Sequence, residues 1–131
     1  MHANLLAILA ATVTSFILGG LWYSPFLFGK VWQRLARLDD ATVRGGNKAL
    51  IFGGAFVLSF VSAFVFSMFL GPSPSLKLGV GAGFSAGLCW VAASFGTSYL
   101  FERRPLGLVL INGGYFTVQF TLIGLLLSVI P

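Results

Sequence analysis

A chain of 131 residues that is 57% hydrophobic and only 8% charged is not an ordinary soluble domain, in which roughly a quarter of residues carry charge. At this length no interior could hide so much apolar surface, and a bilayer removes the need to hide it. The net charge of +5 invites a nucleic-acid reading, but the placement of the basic residues argues against one.

Four apolar stretches follow one another, at about 4–28, 48–70, 76–101 and 106–130. Each reaches the roughly 20 residues that a helix rising 1.5 Å per residue needs to cross the hydrocarbon core. The predicted fold is therefore all-α: one four-helix transmembrane domain over 1–131, built as two tandem helical hairpins. The first stretch has no Lys or Arg before it, is too long for a leader, and offers no small-x-small site near Gly19-Gly20-Leu21-Trp22. It is expected to be a retained span. It closes on Trp22, Tyr23, Ser24 and Pro25.

In the first loop, Val31, Trp32, Leu35 and Leu38 share one face while Gln33, Arg34 and Arg37 face elsewhere. That pattern describes a short amphipathic helix on the membrane surface, with a solvated charged loop as the alternative. Asp39 or Asp40 is placed to cap a further turn that Gly45-Gly46 ends. The second stretch carries the pair Gly53-Gly54. The turn Gly71-Pro72-Ser73-Pro74-Ser75 cannot continue a helix. Neither can Glu102-Arg103-Arg104-Pro105, where Pro105 suits the first turn of span four. Connections this short predict that spans two and three pack together, and likewise three and four.

Span three holds Gly79, Gly83 and Gly87, a small-residue ladder on one helix face that lets backbones approach closely in lipid. Its partner is another span of this chain or a second copy. Cys89, the one cysteine, reads as a small packing residue. In span four, Asn112, Tyr115 and Gln119 lie on one face, with Gly113-Gly114 between them.

Lys30, Arg34, Arg37, Arg44 and Lys48 lie in or beside loop one, Arg103 and Arg104 in loop three, and only Lys77 in loop two. Loops one and three share a side, so seven of eight basic residues fall on one face, the positive-inside pattern. Both loops are expected in the cytoplasm of a bacterial inner-membrane protein, with both termini outside. The basic face then attracts anionic headgroups rather than nucleic acid.

An internal parallel repeat is legible as well. Ile51-Phe-Gly-Gly-Ala-Phe-Val-Leu-Ser-Phe60 and Ile111-Asn-Gly-Gly-Tyr-Phe-Thr-Val-Gln-Phe120 agree at five of ten positions at an offset of 60. A two-span unit repeated in one orientation would place the halves about an axis along the membrane normal.

Counted by depth, Trp22, Tyr23 and Ser24 of span one, Ser94 and Thr97 of span three, and Asn112, Tyr115 and Gln119 of span four form a polar layer. Such groups do not face lipid without partners. They either bond across helices as packing glue or line a small pocket or conduit. Lys30, Glu102, Arg103 and Arg104 are expected to form interfacial ion pairs. Gly53, Gly54, Gly113 and Gly114 join the ladder as helix-packing residues. His2 is the only histidine, and no carboxylate is placed deep in a span. No catalytic residue, cofactor or metal site is therefore predicted, and a proton-coupled pump is disfavoured.

The blocks Gly20-Leu21-Trp22-Tyr23-Ser24-Pro25, Phe28-Gly29-Lys30 with Trp32, Phe101-Glu102-Arg103-Arg104-Pro105 and Ile111-Asn112 with Tyr115 resemble a family of small bacterial membrane proteins. That family is known only as domain of unknown function seventeen-sixty-one. The resemblance spans nearly the whole chain. It implies a bacterial four-span protein and brings no activity or catalytic residues. The family's first loop is richer in acidic residues than this one, which keeps only Asp39-Asp40. Small multidrug exporters need a carboxylate in span one, where this chain has Thr12, Thr14 and Ser15.

The leading expectation is a non-enzymatic, self-associating structural or partner-binding membrane protein. The alternative is a small channel or transporter with a polar pathway along span four.

Overall fold

The computed structural model describes residues 4–131, and among them the regular structure is entirely helical. His2 lies outside the described residues. In chain order the helices are α1 (Leu5–Trp22), α2 (Gly29–Leu35), α3 (Asp40–Arg44), α4 (Lys48–Leu70), α5 (Leu76–Ser85), a π-helical segment (Ala86–Ala92), α6 (Ala93–Glu102) and α7 (Leu106–Val129). The middle three join into one continuous third span, Leu76–Glu102. That span, α1, α4 and α7 are long and apolar enough to cross a membrane, which makes this a multi-pass membrane protein. At a 1.5 Å rise, helices of 18 to 27 residues reach about 27–40 Å, a range that brackets a core of roughly 30 Å.

Short polar residues start the helices by accepting otherwise unpaired backbone N–H groups. Asn4 accepts from Ala7, Asn47 from Leu50 and Ser75 from Leu78, each at 3.1 Å, and Asp39 accepts from Thr42 at 2.7 Å. The bond from Thr42 holds the exposed Asp39 carboxyl below the usual carboxylate range. Asn4 also donates to the carbonyls of Ile130 and Pro131 at 3.1 and 3.0 Å, tying the start of α1 to the end of α7.

The first helix stops at Trp22, short of Phe28, because Pro25 lacks a donor and pushes the residue before it out of the helical region. The Trp-Tyr-Ser-Pro run folds back instead. Phe28 N–H donates to the Trp22 carbonyl at 3.0 Å, and Gly29 N–H to that of Ser24 at 2.9 Å. Only glycine fits at 29, since a Cβ there would strike the Tyr23 and Ser24 carbonyls.

Helix α7 is the hub. Its buried residues Leu108, Ile111, Tyr115, Gln119, Ile123 and Leu127 face α1, α2 and α4, while Gly113 and Gly124 face the third span. The contact with the third span is a seam of small residues. A Cβ on Gly79 would meet Ser128 Oγ and the Gly124 carbonyl, one on Gly83 the Phe120 carbonyl, and one on Gly87 the Thr117 Cα at 2.6 Å. Beyond these, a Cβ on Gly113 would meet the Ala92 Cβ at 2.9 Å, and one on Gly96 the Val109 Cγ1 at 3.7 Å. The seam thus runs 79, 83, 87, 92, 96 along the third span. Its single step of five falls within the π-helical segment, whose wider turn absorbs one extra residue. That insertion keeps the small face turned to α7 over the whole span.

Toward the end remote from loops one and three, Ala7, Ile8 and Ala11 of α1, Ala63 of α4, and Ile123 and Leu127 of α7 form a buried apolar core. Phe60 and Phe64 pack around it, and Phe66 meets Phe120 edge to face at 5.7 Å.

The expected packing of span two on span three is not found. Helix α4 packs on α1 and touches α7, while the third span packs on α7. The glycine seam fixes the third span on α7. The intervening turn is opened by Gly71 and Ser73, at φ 77° and 49°, and does not bring its flanking helices together. Cys89 is exposed rather than packed.

Replacing Gly83 by Leu should drive a side chain into the α7 backbone and lower stability by about 1–3 kcal/mol. Gly81→Leu, with nothing within 4 Å of its Cβ position, should leave the detergent melting temperature unchanged. Equal melting of the two variants by circular dichroism would disprove the seam.

Candidate functional site

Where α1, the third span and α7 approach loops one and three, aromatic and amide side chains meet in a node. Asn112, on α7, sits at its centre. Its Oδ1 accepts from the Tyr23 hydroxyl at 2.6 Å, and its Nδ2 donates to the Tyr99 hydroxyl at 2.9 Å. The amide thereby ties the end of α1 to α6 through α7. One turn away, the Trp22 indole N–H donates to the Ile111 carbonyl at 2.9 Å, and the Tyr115 hydroxyl to the Ser15 carbonyl at 3.0 Å.

The rings also pack against one another, tilted or edge to face. Tyr23 lies 5.5 Å from Tyr115 and meets Trp32 of α2 edge to face at 5.4 Å, and Trp22 lies 4.9 Å from Phe28. Pairs of this geometry add about 0.5–1.5 kcal/mol each beyond their buried area. Two glycines make room for them. A Cβ on Gly19 would lie 3.2 Å from the Tyr115 hydroxyl, and one on Gly114 would lie 3.1 Å from the Trp22 ring. On the loop side α2 closes the node, with Leu35 over Gly107 and Trp32 against Tyr23.

Gln119 is 2% exposed, one turn beyond Tyr115 on the same face. On α1, Thr12 and Ser15 are likewise buried, and their hydroxyls bond back to the Ile8 and Ala11 carbonyls at 2.8 Å. Three other residues of the expected polar layer stand apart from the node. Ser24 bonds to the Leu21 carbonyl, Ser94 to that of Trp90 and Thr97 to that of Ala93, all within their own segments. Serine and threonine can satisfy themselves this way on a helix, so their presence in a span does not require a partner across it.

Tyr99, which the depth count along span three passes over in favour of Ser94 and Thr97, is the residue that completes the node. Its position just before Glu102 puts it at the depth of Asn112, and counting back from the third loop would have found it.

The four glycines set beside the ladder divide. Gly113 and Gly114 are filled by Ala92 and Trp22, whereas nothing lies within 4 Å of a Cβ built on Gly53 or Gly54. At the loop end, Glu102 accepts from Arg104 Nε at 2.7 Å and from the Ser98 hydroxyl at 2.9 Å. That is the one ion pair among the described residues, and it includes neither Lys30 nor Arg103. The pairing holds the Arg104 guanidinium above its ordinary range, chiefly through the hydrogen bond to Glu102. Arg104 also lies 5.9 Å over the Tyr99 ring.

Two cavities flank the node. A groove of 490 Å³ between the third span and α7 is lined largely by apolar residues, among them Trp22, Leu88, Ala92, Val109 and Leu110. A second, of 610 Å³, lies at the loop end between α2 and the Glu102–Pro105 turn. Neither is lined by Asn112, Tyr115 or Gln119. Among the described residues no three His, Cys, Asp or Glu side chains gather as a metal ion would need.

Fold and node together define a small multi-pass membrane protein with an aromatic–amide crosslink near one end. The chain belongs to the family described as Protein of unknown function (DUF1761), whose model matches residues 6–128. No curated protein and no solved structure matches the chain.

Replacing Asn112 by Leu leaves the Tyr23 and Tyr99 hydroxyls without their partner. Each orphaned group should cost about 1–3 kcal/mol, read as a fall in the detergent melting temperature. Ser94→Ala should leave that temperature unmoved.

Proposed function

We propose that this is a non-enzymatic membrane protein that works by associating, with a second copy of itself or with a partner's transmembrane helix, through α4. The observation that carries this reading is how little of α4 is used inside the chain. Only 6% of its apolar window is buried, against 22–33% for the other three spans. Leu50, Gly53, Val57, Leu58 and Val61 recur along it at helical spacing and are all exposed. A glycine inside a helix costs about 1 kcal/mol relative to alanine, and in lipid it repays that cost when another backbone comes close. At Gly53 and Gly54 nothing does.

The repeat strengthens the reading. On our reading the chain is a duplicated hairpin, with α1–α4 answering the third span and α7. Gly53-Gly54 is then the counterpart of Gly113-Gly114, which Ala92 and Trp22 fill. The empty pair is the half of the duplication left for another helix.

The basic loops face the cytoplasm of a bacterial inner membrane in this proposal, because lysine and arginine resist export. The polar node serves as glue. Asn112, Tyr23, Tyr99 and Tyr115 bond within the chain and line neither cavity, and Trp22 alone borders the apolar groove, which disfavours a conduit along α7.

Crosslinking in native membranes is the test. Gly53→Leu should reduce the crosslinked species several-fold while leaving the melting temperature of the monomer intact. A crosslinked fraction equal to wild type would remove α4 as the association face. In proteoliposomes the protein should pass no more solute than empty vesicles, and a flux abolished by Asn112→Leu would establish the channel reading instead.

A further inference from the structure

The 610 Å³ cavity at the loop end is lined by Leu35–Arg37, where α2 ends, and by the Glu102–Pro105 turn between the third span and α7. It brings together three arginines, Arg37, Arg103 and Arg104, from two loops far apart in sequence. The single carboxylate in its wall, Glu102, is already engaged by Arg104 and Ser98. Among the described residues Arg37 and Arg103 have no ion-pair partner. The pocket therefore holds a surplus of two positive charges, and the cavity lies within the roughly 300–1,000 Å³ typical of small-molecule sites.

Guanidinium groups present planar forks of N–H donors that match a phosphate oxygen pair, and they hold charge at any physiological pH. Pro105 offers α7 no side-chain cap, so the positive end of that 24-residue helix adds to the same field. The Glu102–Pro105 turn joins the end of one membrane span to the start of the next, which sets the cavity at the level where lipid phosphates lie. Leu35 and Pro105 give it an apolar rim on which glycerol and upper acyl carbons can rest.

We propose that this pocket binds the phosphate of an anionic phospholipid, one headgroup held between α2 and the third loop. This goes beyond the association reading and does not depend on it. A soluble phosphate ester shares the chemistry, and the interfacial position favours the lipid.

Arg37 and Arg103 allow a clean test. Both have left-handed backbones, with φ of 59° and 61°, a conformation that glycine adopts without the penalty other residues carry. Arg37→Gly/Arg103→Gly thus removes both guanidiniums while suiting the backbone. The full chain in neutral detergent would be titrated with phosphatidylglycerol, phosphatidylcholine or glycerol 3-phosphate, and followed by native mass spectrometry and thermal melting. Wild type should retain phosphatidylglycerol at least about tenfold more tightly than phosphatidylcholine, the factor expected of one charge-assisted bond, and should melt higher with it. The double glycine variant should melt no lower than wild type without lipid and lose that preference. Arg103→Gln serves as a second variant if the glycine pair folds poorly, and Lys77→Gln, in the other loop, should bind as wild type does. Equal retention of both lipids, or an undiminished preference in the arginine variants, would overturn the proposal. Displacement of phosphatidylglycerol by equimolar glycerol 3-phosphate would overturn the lipid and assign the pocket to a soluble phosphate ester.

Discussion

The approach of two backbones with no side chain between them, the third span against α7, is the constraint on which the rest of the molecule depends. In lipid there is no gain from burying one apolar surface against another, so helices associate where their shapes let many atoms touch. Gly79, Gly83, Gly87, Gly113 and Gly124 provide that shape. With α7 held from one side, its opposite face is free to receive α1, and α4 is left to lean on α1 at the margin. The rotation of the third span about its axis follows from the seam. Tyr99 reaches Asn112 because the π-helical segment has adjusted the register upstream of it.

The polar node adds direction to that contact. A glycine seam tolerates sliding, since every small residue resembles the next. An amide that must accept from one tyrosine and donate to another fixes axial position as well as rotation, at a cost if unmet that exceeds the gain when met. Position is therefore determined near the loop end by Tyr23, Asn112 and Tyr99, and at the far end by the Asn4 amide on the last carbonyls of α7.

Hydropathy was enough to locate the spans. The second apolar stretch, 48–70, coincides with α4, because length and composition decide what crosses lipid. The glycine ladder was legible too, but only as far as Gly87. Ala92 and Gly96 continue it after a step of five, and a strict four-residue count misses an insertion that only a change of helix geometry accommodates. Spans three and four pack together as their short turn suggests, but spans two and three do not: a short turn limits how far two helices can separate without making them touch, and the stronger contact prevails. Among polar residues, Asn112 announced itself because an amide in lipid must find partners. Ser94 and Thr97 did not differ from it in composition, yet their hydroxyls reach a carbonyl of their own helix. Exposure of α4 was invisible in sequence, since residues facing lipid and residues facing another helix are equally apolar.

The bonds from Trp22 and Tyr23 to α7 each join residues 89 positions apart. During synthesis the first span therefore enters the bilayer with its indole and phenol groups still lacking their acceptors, and it must wait for the last span to be made. Those groups lie at the end of α1 nearest the loop, where interfacial water can serve them meanwhile. Had the same side chains been placed mid-span, the nascent helix would have had no such refuge, so the depth of the node reflects the order of manufacture as well as the finished architecture.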